Sequence, residues 1–261
     1  MITPKVPLRR DLSLAEVGDA LRFCRTCAFS LVCLESGLDK PQLKELKVHI
    51  GHSDPFARGS HVFREGDPFN MITVVRTGAV KTRVMSRDGR EQVLGFFLPG
   101  EVIGLNAIAD ERYPCDVVAL EDTVLCQLSF PAITDLAGKA PAVQSRLFAL
   151  LSQDIGKAML LSGDFSARER LIAFILSLSR RNAARGQSAQ RLRLPMAWSD
   201  VASHLRLAPE TISRLIKSLQ AEKLVRIDRR EVTILDAPAL QAQSVNILRN
   251  QGPPEQRPRP A

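Results

Sequence analysis

Three cysteines fall within ten residues in CRTCAFSLVC, at Cys24, Cys27 and Cys33. Thiolates at this spacing can wrap one metal centre on a flexible loop. A short Cys-x2-Cys interval suits iron–sulfur clusters, which take four cysteine ligands. The same donors also suit tetrahedral zinc. A fourth sulfur has to come from Cys115 or Cys126. Cys126 lies in TVLCQLSF, on the strand face of Val124 and Leu128. On side-chain chemistry alone it reads first as a buried core cysteine. Spacing by itself leaves the ligand and core readings close.

A second set of residues could bind a polyanion. Between Arg168 and Glu231 there are fourteen Arg or Lys against six Asp or Glu, a surplus of eight that equals the net charge of the whole chain, +8. Such concentration points to nucleic acid. Within it, MAWSDVASHLRLAPETISRLIKSLQAEKLV has helix-turn-helix proportions. Ser199 is placed to cap a first helix, with Val201, Ala202 and Leu205 facing inward. After the turn RLA, a second helix starts with Pro209 at its first position, where a missing N–H costs nothing. Ile212, Leu215, Ile216 and Leu219 form its inner stripe, leaving Glu210, Thr211, Ser213, Arg214 and Lys217 outward. Arg can pair bidentately with a guanine edge and Glu can accept from a cytosine amino group. LVRIDRREVTIL follows as two β runs around a charged turn, a wing whose Arg229 and Arg230 would touch phosphates.

The elements that position these groups are legible from texture. From about His52, short alternating runs at Met71–Val75, Ala79–Val84 and Gln92–Phe97 are separated by turn signals, and TVLCQLSF closes the series. Strands at this spacing suggest a small antiparallel barrel or roll. From Pro141 to Ser162, Val143, Leu147, Leu150, Leu151, Ile155, Met159 and Leu160 make a long helical stripe, suited to pairing with a second copy of itself. ARERLIAFILSLSRR predicts a further helix. The expected organisation is a cysteine segment at 1–45, a β-roll at 46–135, a dimerisation helix at 136–165, a winged helix-turn-helix at 166–245 and a disordered Pro-rich tail at 246–261.

The 261 residues are 45% hydrophobic and 25% charged, ordinary for a globular protein. Five unevenly placed cysteines argue against a secreted disulfide framework. No signal peptide or membrane-length apolar run is visible, so a reducing cytoplasm is expected. Four scattered histidines and no Ser/His/Asp set argue against an enzyme or electron carrier.

From Cys24 to about Leu240 the chain resembles a regulator of the Crp–Fnr superfamily. PETISRLIKSLQ, ERLIAFILSLSRR and LPGEVIGLNAI are similar to its Fnr branch. The resemblance implies an α+β fold: an antiparallel cyclic-nucleotide-binding-like β-roll, a dimerisation helix and a winged helix-turn-helix. It implies that Glu210, Ser213 and Arg214 read half-sites of a TTGAT-N4-ATCAA-like palindrome in double-stranded DNA. Where the family usually caps this helix with a hydroxyl residue, the chain has Ala208.

The resemblance also reverses the balance for Cys126, which aligns with the family's distant fourth cysteine, whereas Cys115 has no counterpart. A [4Fe-4S] cluster on Cys24, Cys27, Cys33 and Cys126 is then expected. Its loss in oxygen would loosen a homodimer and weaken DNA binding. Cyclic AMP, bound by Crp-type members, is not expected: Leu105 stands where a ribose-binding Glu would be, and Arg112 is followed by Tyr-Pro rather than Ser. A cyclic-nucleotide sensor and a structural zinc site remain the alternatives. The turn Ser86 to Gln92 resembles a family surface that touches RNA polymerase.

Overall fold

The computed structural model describes residues 50–244. Cys24, Cys27, Cys33, the rest of the 1–45 segment and the 246–261 tail lie outside the described residues. The chain divides into two compact units, Met1–Asp154 and Ile155–Ala261.

The described part of the first unit is two four-stranded sheets and two helices. Its strands are β1 (Ile50–His52), β2 (His61–Phe63), β3 (Met71–Thr77), β4 (Val80–Met85), β5 (Glu91–Phe97), β6 (Val102–Ile103), β7 (Asp116–Ala119) and β8 (Val124–Ser129). One sheet has the order β1-β8-β3-β6 and the other β2-β7-β4-β5, every pairing antiparallel. The β-roll read from the alternating runs is therefore present. Helix α1 (Phe130–Lys139) follows β8 and is capped by Ser129, whose side chain accepts from Ala132 N. Helix α2 runs from Pro141 to Ser162, the limits of the apolar stripe.

The central strands explain why β3 reads as a nearly continuous apolar run. Ile72, Thr73, Val74 and Val75 are all fully buried, because both faces of the sheet are covered. Side chains alternate along a strand. Val75 and Leu125 pack with Val80, Ile103 and Val117. Ile72, Val74, Cys126 and Leu128 face the other way, into a cluster with Ile133 and Leu136 of α1 and Val143 and Leu150 of α2. Leu147 and Leu151 pack on the same cluster. Of the expected stripe, Ile155 is instead 58% exposed, as is Phe148 at 62%. The side chains of Met159 and Leu160 lie outside the described residues.

The described part of the second unit contains α3 (Ala167–Ala184), β9 (Arg191–Arg193), α4 (Trp198–Leu205), α5 (Pro209–Ala221), β10 (Val225–Asp228), β11 (Glu231–Ile234) and α6 (Ala237–Ala242). Ser166 and Glu169 begin α3 with a capping box, each side chain bonding the other's backbone N–H. Leu171, Ile172, Phe174, Ile175, Leu176 and Leu178 form its buried side. The three strands make an antiparallel sheet of order β10-β11-β9. None of the described helices is long and apolar enough to cross a membrane.

Candidate nucleic-acid interface and cluster ligand

Helix α4 is the supporting helix, burying Val201, Ala202 and Leu205 as their spacing predicts. Its start corrects one expectation. The cap position is Ala197, and Ser199 lies inside the first turn. Asp200 supplies the capping contact instead, its carboxylate accepting from the N–H of Ala197 at 3.4 Å. An acceptor reaching back from the third helical position satisfies an orphan donor that a serine inside the turn does not reach. The helix stops at Arg206, which turns the chain with φ +55°.

Helix α5 begins at Pro209 with no side-chain cap from Ala208. Its inward stripe is only partly closed: Ile212 and Leu219 are buried, Leu215 and Ile216 half-buried. Glu210, Ser213, Arg214 and Lys217 are exposed and Thr211 is half-buried. Glu210, Ser213 and Arg214 share one helix face at i, i+3 and i+4. Ser213 Oγ donates to the carbonyl of Pro209 at 3.1 Å. Arg214 donates to Thr211 Oγ1 at 3.4 Å, so its guanidinium lies along the helix's first turns.

Two contacts not anticipated from sequence hold this helix in place. Arg168, at the start of α3, donates to Glu222 Oε2 at 2.6 Å, to Ser218 Oγ at 3.0 Å and to Gln243 Oε1 at 2.7 Å. Arg168, first by its hydrogen bond, holds the Glu222 carboxyl below its ordinary range. At the other side, Gln220 Oε1 accepts from Ile227 N at 2.8 Å, tying α5 to β10. Residues this far apart in sequence carry no local signal of their pairing.

The wing is β10 and β11 in register, with Asp228 opposite Glu231 and only Arg229 and Arg230 between. Arg229 is exposed and takes φ +51°. Its carbonyl accepts from the indole N–H of Trp198 at 2.9 Å. Arg230 turns back, its guanidinium donating to the carbonyl of Pro195 at 3.3 Å. The two arginines, equivalent in the sequence reading, differ in the structure.

In the first unit, Cys126 is 7% exposed on β8 and faces the α1 and α2 side of its sheet. Across the ladder its Cα partners are Val74 and His52. β1 is the first described element, and Cys24, Cys27 and Cys33 lie outside the described residues. Four thiols are the right donor set for an iron–sulfur cluster, and Cys126 is the one member of the expected set among the described residues. Among the described residues no group of three or more His, Cys, Asp or Glu could hold a metal. Cys115 is 2% exposed, and burial pushes its thiol above its ordinary range.

The stretch that would cradle a cyclic nucleotide is packed with apolar groups. Leu105 is 5% and Tyr113 3% exposed in the same cluster as Cys126. Tyr113 stacks on Phe63 at 4.1 Å and donates to Met71 O at 3.0 Å. The Arg112 guanidinium donates to the carbonyl of Gly66 at 2.7 Å.

Comparison with known proteins agrees with this architecture. The family described as the cyclic nucleotide-binding domain matches residues 54–139, and that described as the Crp-like helix-turn-helix domain matches 169–243. The chain is 36% identical over 226 residues to the anaerobic regulatory protein of Pasteurella multocida, covering 85% of this chain and 83% of that protein. It is 36% identical over 217 residues to the transcriptional activator protein Anr of Pseudomonas aeruginosa, covering 82% and 89%. The structure of FixK2 from Bradyrhizobium japonicum superposes with a TM-score of 0.67 at 26% identity, covering 75% of this chain and 98% of that one. With a sensor roll, a helix-turn-helix and relatives of this kind along most of its length, the chain belongs to the Crp–Fnr superfamily of DNA-binding transcription regulators, in its branch of anaerobic regulators.

Proposed function

We propose that the protein is an oxygen-sensing, sequence-specific regulator, active as a homodimer when oxygen is low. The observation that carries the DNA reading is the exposed face of α5, where Glu210, Ser213 and Arg214 stand together near the helix N-terminus. Residues there reach base edges when a recognition helix enters the major groove. We assign these three to the bases of a TTGAT-N4-ATCAA-like palindrome, and Thr211, Lys217, Arg229 and Arg230 to the backbone. Of the wing pair Arg229 is taken as the principal contact; the hydrogen bond of Arg230 to Pro195 supports this choice.

Cys24, Cys27, Cys33 and Cys126 are the ligand set of a [4Fe-4S] cluster, which supplies oxygen-labile thiolate-bound iron. Cys126 would hold the cluster from the sheet face that α1 and α2 cover, which would place oxygen-labile iron beside the packing of α2. Exposed Phe148 on α2 suits pairing with a second copy, as two recognition helices must meet half-sites about one turn apart. The roll, lined by Leu105 and Tyr113, is read as binding no cyclic nucleotide. The turn Ser86 to Gln92, closed by Ser86 N to Arg90 O at 2.9 Å, is the surface offered to RNA polymerase. Its residues Asp88 and Arg90 are exposed and ion-paired. The 1–45, 46–135, 136–165, 166–245 and 246–261 segments are the corresponding functional divisions.

The test is anaerobic purification followed by admission of air. A brown protein that binds the palindrome and loses both colour and binding in air supports the reading. A colourless protein containing zinc and indifferent to air overturns it in favour of a structural zinc site.

A further inference from the structure

The wing turn contains a backbone choice that its charge explains. Among the described residues, four other than glycine have positive φ: Glu111, Arg206, Lys223 and Arg229. An L-residue with a long side chain is disfavoured in this region, which glycine occupies freely. A two-residue hairpin turn is the place where glycine or asparagine is expected. Here the left-handed position carries Arg229, exposed at the tip, while its neighbour Arg230 is tied to Pro195. The carbonyl of Arg229 is held by the indole N–H of Trp198 at 2.9 Å, across 31 residues of sequence. Trp198 is the only tryptophan of the chain and the first residue of α4. Strained backbone persists where surrounding contacts determine it, and such sites gather at functional positions.

We propose that Trp198 is a positioning residue for DNA binding: its indole fixes the left-handed wing turn so that Arg229 meets a phosphate of the duplex. The inference rests on the DNA reading above and adds the residue that orients the wing. Trp198 acts through Arg229, and Arg229 makes a sequence-independent contact.

Binding would be measured with anaerobic full-length protein on a TTGAT-N4-ATCAA duplex and on one with scrambled half-sites, across a salt series. Each phosphate contact contributes about 0.9 to the slope of log affinity against log salt. Arg229→Gly is expected to melt at the same or a higher temperature, because glycine accepts φ +51°. It should bind both duplexes roughly three- to tenfold more weakly, with a slope shallower by about one per subunit. Trp198→Phe retains a ring but no donor, and should lower the slope in the same direction although Arg229 remains. Lys223→Gly is the control, with equal charge loss and a similar φ of +57°. It stands beyond the far end of α5 from Glu210, and its slope should equal that of the parent. An unchanged slope in Arg229→Gly or in Trp198→Phe overturns the proposal, as does an equal change in Lys223→Gly. If the parent protein fails to prefer the palindrome, the DNA-site reading itself fails, a result distinct from these.

Discussion

His52 and Cys126 are direct partners across the antiparallel ladder of β1 and β8. Directly opposed residues share a sheet face, so His52 lies on the side where Cys126 joins Val74, Leu128, Ile133 and Leu136. The first described strand, β1, is therefore the neighbour of the strand that carries Cys126.

Replacing that thiol separates ligand from core. Cys126→Ala should abolish the oxygen-labile visible absorption of anaerobic protein, while costing only about 1 kcal/mol in folding stability. Cys115→Ala, at an equally buried position, should retain the absorption. Iron content and visible spectra of both variants decide the assignment, and the reverse pattern would sink it.

On α5, Arg214→Ala should cost about 1–3 kcal/mol in binding and relax preference at one position of each half-site. Lys217→Ala should weaken matched and mismatched duplexes alike. A set of duplexes with single-base changes distinguishes the two outcomes.

Arg168 and Glu222 join the start of α3 to the residue after α5. Arg168→Glu should lower DNA affinity several-fold by freeing that end of the recognition helix. Adding Glu222→Arg should recover part of the loss, because opposite charges again face each other. A double-mutant cycle of duplex affinities would show no coupling if the clamp were idle.

Phe148 is exposed on α2 at 62%. Phe148→Asp should convert the anaerobic protein from dimer to monomer while the monomer still unfolds cooperatively, since the side chain is not in the core. Sedimentation at several concentrations tests this.

The roll should also weaken in acid. Burial raises the Glu91 carboxyl, but hydrogen bonds from Lys81 and Arg83 outweigh it and hold the group below its usual range. Asp116 is held low in the same way: burial raises it, while Glu65 N–H, His61 and Arg83 prevail. Both groups bind protons more readily when unfolded, so their stabilisation is full above the ordinary carboxylate range, about pH 4, and lost as pH falls through the lowered folded values. Melting temperature against pH should fall in that acid window, and Arg83→Gln should flatten the fall.

Several elements were legible without tertiary structure because their signals are local. Short apolar runs between turn signals marked strands β3, β4, β5 and β8. The stripe from Pro141 to Ser162 marked α2 end to end. Pro209 marked the start of α5, and the i, i+3, i+4 spacing placed Glu210, Ser213 and Arg214 together. Alternation also put Cys126 on one face with Leu128. It could not say which layer covered that face, since both faces of the sheet are buried. Nor could it choose Asp200 over Ser199 as the group that starts α4, which depends on the reach of each side chain.

What sequence alone determined was therefore the elements with strong local signals and the outward chemistry of the recognition helix, set by short-range periodicity and turn residues. Tertiary structure decided what meets across long intervals: His52 with Cys126, Arg168 with Glu222, and Trp198 with the carbonyl of Arg229. Such pairings arise when packed layers bring distant segments together, and composition near either partner does not encode the other. Arg229 and Arg230 look alike in sequence, yet one projects from a left-handed turn and the other is tied down. The fold alone makes that distinction, because it sets the backbone from which each guanidinium departs.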